Sequence, residues 1–143
     1  MQSVVWEPVP GIDFRCADIA FTYDPPRLTA LMYFSRVKDL PERDLELQFS
    51  GVIGLRWLPE SYGWIDNPFP PRPTPKCRGG TWAGWTFPLL TIHESSWLSA
   101  YQNLPGTQGR QHFSLVAMND LLNVLALHDV GARWIQAGET GPP

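Results

Sequence analysis

Residues 111–135, QHFSLVAMNDLLNVLALHDVGARWI, form the longest apolar run of this chain, and any fold has to bury them. Phe113, Leu115 and Ala117 alternate with His112, Ser114 and Val116, which is the two-residue period of a strand. Asn119 and Asp120 suit a turn, because both tolerate a left-handed backbone and bond their own main chain. Leu122, Val124 and Ala126 would then return beside the first strand, with Leu121, Asn123 and Leu125 on the other face. Such a hairpin is apolar on both sides and requires cover on both. The same residues also allow a helix capped by Asn119 or Asp120, with Leu121, Leu122, Leu125 and His128 on one side and Gly131 as its stop. The alternation favours the hairpin, and Trp134 and Ile135 add a further apolar patch.

The segments before this run read as shorter strands. Val4, Val5 and Trp6 suit an edge strand. DIAFTY (residues 18–23) ends at Pro25 and Pro26, which cannot donate to a ladder. LTALMYF (28–34) follows, and then DLELQFSGVIGLRWL (44–58). In the latter, Leu45, Leu47 and Phe49 alternate with Glu46, Gln48 and Ser50, Gly51 marks a bulge or bend, and Leu55 and Trp57 continue the pattern. FPLLTI (87–92) is another strand, and Ser95 or Ser96 can cap a short helix over 97–102. The expected fold is α+β: a mostly antiparallel sheet with one or two short helices, in a single domain spanning 1–143.

Between these pieces, residues 59–86 carry six prolines and three tryptophans. Irregular loops of this length are uncommon unless they serve a function or are disordered. Tryptophans require apolar cover or a partner, which argues against plain disorder. Glu60, Tyr62, Trp64, Asp66, Trp82 and Trp85 are therefore the expected partner-binding residues, since Trp, Tyr and Arg dominate binding hot spots. Truncation of Trp64 or Trp82 to alanine would weaken such binding by at least about 2 kcal/mol and leave the fold intact. The loop folded back as a lid over the core is the competing reading. Stacking on nucleic-acid bases or sugars is a weaker one, because the few positive charges beside these aromatics, Lys76 and Arg78 among them, do not make a nucleic-acid groove.

Chemistry-bearing motifs are sparse. Cys16 and Cys77 lie in no metal or redox spacing. They read as reduced thiols, one half-buried and one in a loop, and a disulfide between them is not implied. His93, His112 and His128 show no metal-ligand pattern, so neither a metal nor another cofactor is expected. An enzyme reading would have to use Cys77, His93, Glu94 and His112. Glu42, Asp44 and Glu46 form an acidic cluster that reads as a solvated strand face or a surface for a basic partner. A net charge of −3 argues against non-specific nucleic-acid binding. The start, MQSVVWEPVPGIDF, lacks the basic and apolar regions of a secretory leader. No run reaches the ~18 apolar residues of a membrane span. The expectation is a cytoplasmic protein, monomeric or dimeric, without nucleic-acid or membrane partners.

Three stretches, LELQFSGVIGLRW, FPLLTIHESSWL and HFSLVAMNDLLNVLA, resemble in order and type those of small bacterial immunity proteins encoded beside polymorphic or secreted toxins. They cover about the last two-thirds of the chain and contain no catalytic signature. The resemblance implies a non-enzymatic cytoplasmic protein that binds one cognate toxin and blocks its active site or assembly. It transfers no functional residues. Two alternatives stand beside it: a small enzyme with a lid loop, and a phage or secretion accessory protein that self-associates through exposed tryptophans.

Overall fold

Two antiparallel sheets pack face to face in the computed structural model, which describes residues 1–35, 42–59, 68–79 and 83–136. In chain order the strands are β1 (Gln2–Val5), β2 (Asp18–Asp24), β3 (Arg27–Tyr33), β4 (Arg43–Phe49), β5 (Gly54–Leu58) and β6 (Leu89–His93). A single helical turn, α1 (Ser96–Ser99), follows, and then β7 (Arg110–Val116), β8 (Leu121–Leu127) and β9 (Gly131–Gln136). One sheet has the order β1-β6-β7-β8-β5, the other β2-β3-β4-β9.

The expected α+β class is thereby corrected: the chain is nearly all-β. The physical reason lies in both candidate helices. A helix as short as α1 has no stability of its own. Ser95 caps it by accepting from the Leu98 N–H, and the buried Trp97 anchors it. Residues 119–130 form no helix because β7 and β8 pair fully, with Ser114 opposite Asn123, Phe113 opposite Val124 and Leu115 opposite Leu122. Residues opposed in a ladder share a face. The hairpin therefore presents Phe113, Leu115, Leu122, Val124 and Ala126 to one side and His112, Ser114, Val116, Leu121, Asn123 and Leu125 to the other.

The first set meets the four-stranded sheet. Phe113 packs on Phe49 of β4 with ring centroids 5.3 Å apart, and Trp6 closes on both rings. The second set lies under α1 and under residues 68–79, where Phe69, Trp97 and Leu125 make a small second core. Sheet β1-β6-β7-β8-β5 is thus covered on both faces, which accounts for the two-sided apolar pattern of β8. Close approach is enforced at Gly54, where a Cβ would lie 2.7 Å from the Trp97 ring. Gly51 has φ +58 at the bend into β5, so the break in alternation there is a turn that favours glycine.

Two braces join the sheets along the side where edge strands β2 and β5 run next to each other. Asp120, in the β7–β8 turn, accepts from the Ile19 N–H at 2.9 Å, and the Val52 N–H donates to the Pro26 carbonyl, also at 2.9 Å. No helix among the described residues is long and apolar enough to cross a membrane.

Candidate interaction site

Of the six residues expected to bind a partner, Glu60, Tyr62, Trp64, Asp66 and Trp82 lie outside the described residues. Trp85 is described and is 47% exposed. The Arg15 guanidinium stacks over its ring at 3.8 Å. Beside Trp85, Lys76 bridges Thr86 and the Cys77 N–H donates to the Trp85 carbonyl. Asp13 holds the segment after Cys77 by accepting from the Arg78 and Gly79 N–H groups at 3.0 and 2.9 Å.

The residues proposed for catalysis do not converge. Cys77 lies in a loop segment and is buried there, and its thiol is pushed up to about 12 by burial and then by the Asp13 carboxylate beside it. Cys16 is buried as well, not half-buried, and burial with the nearby charge of Asp18 raises its thiol well above the ordinary range. Both cysteines are free. His93 and Glu94 are exposed at the end of β6, and Glu94 has a left-handed backbone, φ 55. No group of three or more metal-binding side chains occurs among the described residues.

His112 stands apart from these in a buried polar chain on the covered face of the five-stranded sheet. Asn123 Oδ1 accepts from Ser114 Oγ and from His112 Nε2, the latter at 2.8 Å. An amide oxygen only accepts, so Nε2 carries the proton and Nδ1 is bare. Nδ1 then accepts from Ser95 Oγ at 2.7 Å, and Ser95 Oγ accepts from the Leu98 N–H at 3.1 Å. Both ring nitrogens and both hydroxyls are bonded with a neutral imidazole. Burial, aided by the Arg56 charge and opposed by the Asn123 bond, lowers the His112 pKa to about 4. Phe69 and Trp97 stand edge-on to the ring at 4.7 and 5.1 Å, and Arg56 lies over Trp97 at 4.5 Å. A serine, a histidine and an asparagine in line resemble a hydrolytic triad in composition. Here Ser95 is 5% exposed and is occupied in capping α1, so the chain ties sheet to helix and leaves a nucleophile no route to substrate.

The acidic cluster is also altered by the fold. Glu42 is exposed, but Asp44 and Glu46 are buried and do not form the expected solvated face. Asp44 accepts from the Ser35 N–H and hydroxyl at 3.0 and 2.8 Å, and Glu46 pairs with Arg133 Nε at 3.0 Å. Their charges serve the second sheet itself.

Exposed aromatic area gathers instead along β2 and β5. Ile19, Phe21 and Tyr23 share the face of β2 that opposes Met32, Ala30 and Leu28, all core residues. Ile19 is buried, but at this open side of the sandwich the cover of Phe21 and Tyr23 runs out. Trp57 is 49% exposed, Tyr23 is 40% exposed, and the half-buried Phe21 meets Trp57 edge-to-face at 5.8 Å. Acidic groups flank the seam: Asp18 and Asp120 at one end, linked through Asn119 and Ile19, and Asp24 at the other. Sequence reasoning placed Phe21, Tyr23 and Trp57 on strands without marking them as surface, because only the sheet order makes β2 and β5 edges.

Comparison with protein-family models, with curated proteins and with solved structures finds no match.

Proposed function

We propose that this protein is an immunity-type binding protein that acts in the cytoplasm, where it neutralises a cognate bacterial toxin by direct protein–protein contact. The observation that carries the reading is the aromatic seam of Phe21, Tyr23 and Trp57, left half-open between two edge strands. Monomeric proteins rarely leave such clustered apolar area uncovered unless something binds it. Aromatic anchors ringed by polar groups are the usual build of a binding hot spot. The contrast inside the fold supports the same reading. His112, both thiols, Asp44 and Glu46 are buried and engaged with neighbouring groups. The stretches resembling immunity proteins supply β4 with β5, β6 with α1, and β7 with β8, and Trp57 is the seam residue that lies within them.

The test is neutralisation in cells. The product of the adjoining reading frame is expressed in a bacterial host, alone and together with this protein, and growth is scored. Growth arrest by the neighbour, rescue by the wild type, and loss of rescue with folded Trp57→Ala are expected. Truncating a half-exposed anchor should cost partner affinity about 30-fold or more and stability less than about 1 kcal/mol. A harmless neighbour, or no rescue by the wild type, overturns the proposal.

A further inference from the structure

β2 offers a partner more than side chains. Asp24 and Arg27 close a two-residue hairpin, and the pairs Asp24–Arg27, Thr22–Thr29, Ala20–Leu31 and Asp18–Tyr33 alternate with Tyr23–Leu28, Phe21–Ala30 and Ile19–Met32. The Ile19 N–H points away from β3, since it reaches Asp120 across the seam. Backbone direction repeats every second residue along a strand, so the N–H and C=O groups of Phe21 and Tyr23 point the same way. Among the described residues no strand pairs with that edge. Asp120 caps only its first position, and the Val52–Pro26 bond closes the region beyond its last. What remains is a short open ladder at Phe21 and Tyr23, beside the exposed Trp57.

Charge selects the occupant. A second copy of this chain pairing antiparallel about Phe21 would set Asp18 of each molecule opposite Asp24 of the other, because the two lie three residues to either side of Phe21. Like charges directly opposed in a ladder are unfavourable. A strand with basic residues at those two positions meets the same carboxylates favourably, and its inward side chains fall on Phe21, Tyr23 and Trp57.

We infer that β2 is the docking strand, and that the partner adds an extended basic segment to its free edge: cationic residues six apart, facing Asp18 and Asp24, with apolar residues alternating between them. This deepens the binding function proposed above and rests on it. Main-chain bonds would supply the attachment, and the pattern of charged and apolar positions its selectivity.

The probe is a head-to-tail cyclised hairpin displaying Lys-Val-Thr-Ile-Thr-Val-Lys, whose palindromic order fits β2 in one register; a twin carries Glu at both ends. Each is titrated to millimolar concentration into the wild-type protein, and backbone amide shifts and exchange rates are followed by NMR. The lysine hairpin should shift the Phe21 and Tyr23 amides and slow their exchange, with the glutamate twin about tenfold weaker. Tyr23→Pro, which removes one outward N–H, should abolish the response, and Tyr23→Ala, which keeps it, should retain it in part. No response on β2, equal responses to both hairpins, or a β2-paired dimer in sedimentation overturns the inference. If hairpin binding fails while growth rescue holds, the docking strand falls and the binding function stands. If rescue itself fails, that function falls regardless of the hairpin result.

Discussion

Acid should weaken this fold through His112 in a way that one substitution isolates. In the folded chain the ring is 1% exposed, neutral, and fixed between Ser95 and Asn123, with a pKa of about 4. In the unfolded chain it titrates near the ordinary value of about 6.5. Between those values the unfolded state binds a proton that the folded state refuses, so stability falls as pH falls through this window. The contribution is intact above about pH 6.5 and has been lost by about pH 4. At 1.36 kcal/mol per unit, acidification from about pH 7.5 to about pH 4.5 removes roughly 2.5 kcal/mol through this residue alone.

Carboxylates titrate in the same range, so the comparison is with His112→Gln. Glutamine retains one acceptor and one donor for Ser95 and Asn123 but cannot charge. Urea unfolding at the two pH values is the assay. At about pH 7.5 the variant should be less stable by about 1–2 kcal/mol, having lost the edge contacts of the imidazole with Phe69 and Trp97. At about pH 4.5 that gap should close or reverse, with the wild-type midpoint dropping by about 1–2 M urea more than the variant's. Parallel losses in the two proteins would show that the ring titrates normally in the fold and would refute a neutral imidazole bonded at both nitrogens.

The same network predicts that Asn123→Leu costs about 2–4 kcal/mol despite its apolar surroundings, because His112 Nε2–H and the Ser114 hydroxyl lose their shared acceptor; thermal unfolding measures this, and a neutral effect would contradict it. Cys16 and Cys77 should resist alkylation at about pH 8 in the folded protein and react in urea, since both are buried and their thiols are shifted upward. Mass-spectrometric counting of adducts decides that point, and rapid labelling of either thiol before unfolding would contradict it.

Much of the secondary structure is legible in the residues because the two-residue period is strong where one face is buried. Leu45, Leu47 and Phe49 announce β4, and the 111–127 hairpin follows from its own alternation and the Asn119–Asp120 turn. What local pattern cannot carry is sheet order. Trp57 looks like any strand aromatic until β5 proves to be an edge lying against β2. Glu46 looks solvated until Arg133 of β9, far along the chain, pairs with it. The polar residues of β7 and β8 are intermediate. His112, Ser114 and Asn123 could be seen to share a face once the hairpin register was set, but Ser95 joins them only because α1 folds over that face. Helix content was overestimated for the same reason, since a capping serine signals a start and carries no information about length.

Hydrogen exchange with and without the adjoining gene product tests the central claim most directly, by mapping where that protein is held. Binding should slow exchange at residues 18–24 and 54–58, above all at the Phe21 and Tyr23 amides, and leave β7 and β8 unchanged. Protection confined to other surfaces, with β2 and β5 exchanging as in the free protein, would contradict the account.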